Sequence, residues 1–317
     1  MILRSGSVRA ALGAWLFLFS GVSACSSEEP GGPPSQADAG TPIEPKNDAA
    51  PSTESGALAD DGPAAAKDTG PVGAEGCTIP ATEDDQPTLL SKTGCVEPTD
   101  PTKVAASLIA YDVSSPLWSD GASKERYVYL PPGKKIHVKD HMGGTPEDEG
   151  HWEFPVGTVL VKSFSIGGKR VETRLLMRKD DIDWLGFSYE WNDAGTDATL
   201  VSTEFKEKMV GTQTWHYPSR AECLQCHTTE GGRSLGPSTP QMNIDFAYAT
   251  GMKNQVQAFA DKGLFDVPPK MIAAYPKPSD DGDLTARARS YMHVNCAICH
   301  RPGGALSDID LRFTSSF

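Results

Sequence analysis

The alternation of apolar and polar positions predicts a mainly β domain over residues 77–217. Short segments rich in β-branched and aromatic residues are separated by turn formers. The candidate strands are Arg126–Leu130, Lys135–Lys139, His151–Phe154, Thr158–Ile166, Lys169–Lys179, Asp183–Trp191 and Ala198–Thr203. Gly167-Gly168 stands between two of these segments, which is typical of a β-hairpin. We therefore expect an antiparallel sandwich or a barrel-like sheet.

Helical spacing occurs once before these strands and repeatedly after them. Lys103–Tyr111 places Val104, Leu108 and Tyr111 on one side of a helix. After Pro218, the helical candidates are Ala221–His227, Met252–Lys262 and Leu284–Cys299. The sequence thus predicts an α+β chain whose C-terminal region, 218–317, is mostly α.

The first 24 residues have the pattern of a signal peptide. Arg4 and Arg9 precede an apolar run, Ala10–Val22, that is too short to span a membrane stably. Val22-Ser23-Ala24-Cys25 resembles the bacterial lipobox, which predicts a lipid group on Cys25. The alternatives are a membrane-spanning helix, or a cysteine that ends the signal by chance. With Ser26 next to it, the lipid is expected in the outer membrane.

Residues 25–76 are predicted to be a disordered tether. From Ser26 to Gly76 the chain has three large aliphatic residues and no aromatic residue, so burial cannot offset the conformational entropy. Ten acidic residues and two lysines lie there, a large part of the net charge of −13. The absence of a basic stripe argues against nucleic acid as a partner.

Two five-residue motifs carry the chemistry that the sequence predicts. They are Cys223-Leu-Gln-Cys226-His227 and Cys296-Ala-Ile-Cys299-His300. Two thiols near one helical turn apart can reach the two vinyl groups of a haem, and the adjacent histidine can ligate its iron. A zinc site made of four cysteines leaves both histidines unexplained, and a thioredoxin-like pair needs a βαβ context that is missing. We expect two covalently attached haem c groups.

The seven cysteines divide without remainder. Cys25 would take lipid, and four cysteines belong to the two motifs. Cys77 and Cys95 remain, and in an exported, oxidising setting we expect them to form a disulfide. Two unpaired buried thiols are the alternative.

The first motif, followed by Leu235-Gly236-Pro237, resembles the first half of a class I cytochrome c domain. The chain from Tyr111 onward is similar to a family of exported dihaem c-type cytochromes of unassigned substrate. The similar segments are Ser115–Lys124, Trp152–Thr158, Glu172–Arg174, Arg287–Tyr291 and Asn295–Gly303, within about two-thirds of the chain. The resemblance implies haem binding and electron transfer over a cytochrome c-like region.

The iron ligands follow from the motifs only in part. His227 and His300 are the expected proximal ligands. Met271, which follows Pro268-Pro269, is the first candidate for the distal ligand of the first haem, ahead of Met242 and Met252. For the second haem we name none, since His293 is expected to point away from the iron. Only seventeen residues follow His300, so either the chain is truncated or other segments seal the second haem.

Two further groups of residues allow a functional and a structural interpretation. Five tryptophans (Trp118, Trp152, Trp184, Trp191 and Trp215) lie in the predicted β domain, and we expect them to pack in its core. His137, His141 and His151 could suggest a metal site, but their spacing fits no motif, so we expect surface or loop histidines.

The sequence therefore predicts a lipid-anchored electron carrier of the bacterial cell envelope, facing the periplasm or the cell surface. Its partners would be redox proteins of the envelope; its acidic surface is consistent with basic partners and equally consistent with plain solubility. A dihaem peroxidase with one open iron site is the enzymatic alternative. A third possibility is a haem-stabilised surface module whose β domain binds polymer or protein.

Overall fold

A six-stranded antiparallel sheet forms the centre of the computed structural model, which describes residues 76–139 and 149–316. The strands of this part are β1 (Val96–Glu97), β2 (Asp100–Val104), β3 (Leu108–Tyr111), β4 (Ser123–Tyr129), β5 (His137–Val138), β6 (Trp152–Glu153), β7 (Val159–Ile166), β8 (Lys169–Arg178), β9 (Trp184–Trp191), β10 (Ala198–Leu200), β11 (Lys206–Val210), β12 (Gln213–Tyr217), β13 (Asp245–Tyr248) and β14 (Gly251–Asn254). The large sheet has the order β10-β9-β8-β7-β4-β3, and the other strands form two-stranded ladders. The predicted antiparallel β-structure is confirmed. The large sheet is open, and β10 and β3 are its edge strands.

The hairpin between β7 and β8 forms where the two glycines predict it. Gly167 and Gly168 have φ angles of 56° and 78°, and Ile166 pairs with Lys169. Positive φ at both central residues is what a tight hairpin turn requires, and glycine adopts it without strain. The register of the β7–β8 pair shifts by one residue between Phe164 and Ser165. Arg170 therefore lies on the opposite face of the sheet from Arg174, where it forms an ion pair with Glu125.

One face of the sheet is covered by the segment that precedes β3. Leu90 and Val96 are buried there against strand residues such as Val161, Leu175 and Phe187. Cys77 and Cys95 lie inside this layer with their sulfur atoms 2.12 Å apart, in agreement with the expected pairing. The disulfide thus closes the segment that forms the cover.

The opposite face packs against the C-terminal half through an aromatic cluster. The ring of Trp152 lies 5.3 Å from that of Phe259 and 5.0 Å from that of Phe265, measured between centroids. Four of the five tryptophans of the β region are buried, as expected for a core. Trp118 is the exception, with 53% of its surface exposed.

Two expectations about helices are wrong. Residues 218–316 contain α1 (Arg220–Cys226), α2 (Thr239–Met242), α3 (Gln255–Asp261) and α4 (Leu284–Asn295), of 7, 4, 7 and 12 residues. The rest is mostly irregular, because prolines such as those at 268 and 269 interrupt helices. This region is not mostly α, and no cytochrome c fold is seen in the described residues. Lys103–Tyr111 is not a helix either, since β2 and β3 occupy it.

The chain divides into two units, 1–54 and 55–317, and all described residues belong to the second. The predicted signal peptide, Cys25 and residues 26–75 of the predicted tether lie outside the described residues, as does His141. Within the described ranges, no helix combines the length and apolar character needed to cross a membrane.

Candidate functional site

The first Cys-x-x-Cys-His motif lies on α1, which packs against β9. Ser219 begins the helix with a capping box: its Oγ accepts the N–H of Glu222 at 3.2 Å, and the Glu222 carboxylate accepts the N–H of Ser219 at 2.7 Å. Gly186 in β9 permits close contact, because a Cβ there would lie 2.6 Å from the Cβ of Cys223. Cys223 is therefore half-buried against the sheet, whereas Cys226 is exposed at the helix end.

His227 follows α1 with one ring nitrogen already engaged. Its Nδ1 contacts the carbonyl oxygen of Arg233, and the Arg233 Nη1 donates to the carbonyl of His227 at 3.0 Å. Burial lowers the pKa of His227 to about 4, and the nearby charges of Lys162 and Arg174 act in the same direction. The neutral imidazole thus donates its Nδ1 proton to a carbonyl and leaves Nε2 as an acceptor, which is the tautomer that a metal ligand needs.

The second motif forms a turn after α4. Cys296 ends the helix, and the N–H groups of Cys299 and His300 both donate to its carbonyl oxygen, at 3.1 and 2.9 Å. The His300 Nδ1 is buried and has no hydrogen-bond partner among the described residues. The two motifs therefore differ: one histidine is oriented by a carbonyl, and the other is not.

Arg301 joins the two motifs. Its Nη1 donates to the carbonyl of Glu230, in the loop after His227, at 2.6 Å, and its Nε contacts the carbonyl of Ala297. Cys226 and Cys299 also lie near each other. Burial raises the pKa of the Cys226 thiol, and the nearby Cys299 thiol acts in the same direction. The motifs are thus neighbours in space, although the bond between Arg301 and Glu230 joins residues 71 positions apart.

Glu149 is a buried carboxylate beside the second motif. Its oxygens lie 3.1 Å from His151 Nε2, 3.3 Å from Arg301 Nη2 and 3.6 Å from His293 Nδ1, and Arg312 is 4.0 Å away. Burial alone would raise the pKa of Glu149, but the hydrogen bond from His151 and the charges of His293 and Arg301 lower it to about 2. The carboxylate is therefore ionised at neutral pH and holds three chain segments together.

His293 is directed into this cluster. Its Nδ1 accepts the N–H of Phe313 at 3.2 Å, and its ring lies 4.8 Å from that of Tyr275. Burial, which the positive charge of Arg301 reinforces, lowers the pKa of His293 to about 4, so the ring is neutral at pH 7. His151, expected on a surface or loop, is half-buried here, and His137 pairs with Asp266 at 2.8 Å.

A second buried carboxylate lies on the sheet beside the first motif. Glu172 is fully buried and accepts two hydrogen bonds from Arg174, at 2.8 and 2.9 Å. The Ser188 hydroxyl donates to it at 2.5 Å and the Trp215 indole at 3.0 Å. This network fixes the Arg174 guanidinium, which stands close enough to Cys223 and Cys226 for the charges to interact.

A cavity of about 350 Å³ opens at the β4 side of the site. Its lining includes Asp112, Lys124, Trp118 and Tyr291, but none of the six motif residues. The N–H of Trp118 donates to Asn295 Oδ1 at 2.7 Å, so the cavity wall is tied to the residue before Cys296. The cavity is therefore a neighbour of the second motif.

The three candidate methionine ligands are spread over the molecule. Met271 is 55% exposed on an irregular segment, and Met252 is exposed in β14. Met242 is fully buried in the aromatic core described above. None of the contacts seen in the described residues joins a methionine to His227, and the proposed distal role of Met271 stays a prediction.

Each motif contains the donor set that covalent haem attachment requires. A zinc site would need four ligands around one point, and within the described residues no group of three or more His, Cys, Asp or Glu side chains is so arranged. Haem needs less: two thiols on one turn and one histidine nitrogen. Cys223, Cys226 and a neutral His227 supply these, and Cys296, Cys299 and His300 supply the same set.

Sequence reasoning missed Glu149, Arg301 and the ion pair of Glu172 with Arg174. No local pattern marks them, because the partners of the first two are distant along the chain: Arg301 reaches both Glu230 and Glu149. Glu172, Arg174 and Arg301 lie in segments that entered the family resemblance, Glu172–Arg174 and Asn295–Gly303, but without an assigned role.

No protein-family model matches the chain, and no curated protein or solved structure matches it either.

Proposed function

We propose that this chain is a c-type cytochrome that binds two haem groups covalently and transfers electrons. The observation that carries the proposal is the state of His227: neutral, half-buried, and with Nδ1 held by the Arg233 carbonyl directly after two cysteines on one helical turn. A second motif of the same composition lies next to it, joined through Arg301. Two such sets side by side suit electron exchange between two centres.

Each residue has a separate task in this proposal. Cys223 and Cys226 would anchor the first haem, and Cys296 and Cys299 the second. His227 and His300 would ligate the iron atoms, and the bound haem would supply reversible one-electron chemistry. Arg233 and Arg301 are positioning residues, because they hold the loops that follow the two motifs. The proposal places the protein in the bacterial cell envelope, anchored through lipid on Cys25, with redox proteins of the envelope as partners.

A haem count tests the proposal. The chain is produced in a host with a c-type maturation system, and covalent haem is measured by the pyridine haemochrome assay together with intact mass. We expect two haems per chain in the wild type. The double variants Cys223→Ala/Cys226→Ala and Cys296→Ala/Cys299→Ala should each retain one.

The same chain made without the maturation system is the control, and it should carry no covalent haem. A wild-type chain that carries no haem under maturation conditions, or that binds zinc stoichiometrically through the motif cysteines, contradicts the proposal. If the wild type carries one haem, the proposal holds only for the motif whose double alanine variant loses that haem.

A further inference from the structure

Three basic side chains stand in one row across the sheet face that carries the first motif. Arg126 in β4 is paired with Lys162 in β7, and Lys162 is paired with Arg174 in β8. Side chains directly opposite each other on neighbouring strands have Cβ atoms about 5 Å apart, and like charges in such positions repel. Negative charge nearby is therefore needed to offset the repulsion between three cations at this spacing.

The two outer cations of the row form ion pairs with carboxylates of the chain, but the central one, Lys162, does not form one among the described residues. Arg126 forms an ion pair with Asp112 at 2.5 Å, and Arg174 forms its two bonds with Glu172. Lys162 makes no ion pair among the described residues, and the ring of Phe164 lies 6.0 Å from its ammonium group. Burial, followed by the charges of Arg126 and Arg174, lowers the pKa of Lys162 to about 7. An anion beside Lys162 would relieve this repulsion.

The row begins beside the first motif and leads away from it. Cys223 lies against Gly186 in β9, next to Arg174. Neighbouring strands are about 4.8 Å apart, so Lys162 in β7 lies about 10 Å across the sheet from β9, and Arg126 lies one strand further. In haem c, the thioether bonds are on one edge of the porphyrin and the two propionate groups are on another. A porphyrin fixed at Cys223 and lying along the row would bring its propionates to the cations beyond Arg174.

We propose that Arg126, Lys162 and Arg174 form the binding site for the propionate carboxylates of the haem attached to Cys223 and Cys226. The inference rests on the proposed function and adds to it the residues that hold the haem edge opposite the thioethers. Lys162 is the central contact, because the other two cations already have carboxylate partners within the chain.

The test uses the holoprotein and the variants Lys162→Met and Lys162→Arg. Arg170→Met is the matched control, because Arg170 is a half-buried cation on the opposite face of β8, paired with Glu125. Covalent haem is counted first, and resonance Raman spectra then report the propionate bending bands. We expect these bands to shift in Lys162→Met, and to stay at the wild-type position in Lys162→Arg and in Arg170→Met.

Unshifted propionate bands in a Lys162→Met protein that retains two haems overturn the inference and leave the proposed function intact. A wild-type chain without covalent haem refutes both. If added inorganic phosphate raises the melting temperature of the wild type but not of Lys162→Met, while the bands do not move, the row binds a soluble anion and the inference is wrong.

A second measurement on the wild type needs no variant. Haem carrying ¹³C in its propionate carboxyl groups is followed by infrared spectroscopy during a titration with acid. Propionates bound to the row should remain ionised at a pH where a free carboxylic acid is protonated. Because the second haem carries the label as well, only protonation of all the propionates at the ordinary pH of a carboxylic acid contradicts the inference, whatever the folding of the variants.

Discussion

Replacing Glu149 by glutamine removes one buried charge and preserves the shape of the side chain. The carboxylate is surrounded by His151, His293 and Arg301, which lower its pKa from 4.5 to about 2. A difference of this size corresponds to about 3 kcal/mol of folding free energy. Because the folded-state pKa is the lower one, this stability is fully present above the unfolded-state pKa of 4.5. It is lost as the pH falls through about 2.

The experiment compares urea unfolding of wild type and Glu149→Gln, followed by circular dichroism, at pH 7 and at lower pH. We expect the variant to lose about 3 kcal/mol at pH 7, and the difference to narrow below pH 4.5. His293, whose pKa is about 4 in the folded chain, destabilises both proteins as the pH falls below its ordinary value of 6.5, because the unfolded state then binds more protons. Because the Glu149 carboxylate raises the pKa of His293, the loss through His293 is larger in the variant than in the wild type, and the narrowing below pH 4.5 reports the protonation of Glu149 alone.

Glu153→Gln is the matched control. Its carboxylate is 43% exposed and lies 3.6 Å from Arg178 and 3.9 Å from Lys139, a geometry that is worth less than about 1 kcal/mol. If Glu149→Gln loses no more stability at pH 7 than Glu153→Gln does, Glu149 is not the buried ionised group described here. A loss that is unchanged at about pH 3 would refute the electrostatic explanation.

Two further predictions concern packing and the disulfide. Gly186→Ala should lower the unfolding free energy by about 1–3 kcal/mol, because the new Cβ would overlap Cys223, whereas Gly282→Ala, in open space, should not. Equal melting temperatures of these two variants would contradict the contact. Cys77→Ala/Cys95→Ala should cost about 3 kcal/mol, given a sequence separation of 18. A reductant should then lower the melting temperature of the wild type alone, and an insensitive wild type would contradict the disulfide.

Local signals in the sequence were sufficient for the β7–β8 hairpin and for the start of α1. The glycine pair at 167 and 168 specifies a turn by its backbone freedom, and the β-branched runs on either side supply both strands. The helix predicted over Ala221–His227 is present as α1, and in the structure a capping box of Ser219 and Glu222 starts it at Arg220. In each case the residues that determine the structure are within a few positions of one another.

Long-range pairing decided the features that the sequence analysis missed. Lys103–Tyr111 has helical spacing, yet Val104 pairs with Val96 and Leu108 pairs with Tyr129, so two strands form instead of a helix. The ion pairs of Glu149 join residues up to 152 positions apart, and the periodicity of apolar residues along the sequence does not predict such a contact. The row of Arg126, Lys162 and Arg174 was not predictable either, because it depends on which residues of β4, β7 and β8 lie opposite one another.

The order of the strands has a consequence for how the protein is made. β7, β8, β9 and β10 follow one another both in the chain and in the sheet, so each can pair with its predecessor as soon as it is available. Short-range pairing of this kind favours rapid folding. All six strands of the sheet also precede Cys223. The sheet can therefore assemble before either motif is synthesised, and the surface at Gly186 against which α1 packs is then already formed.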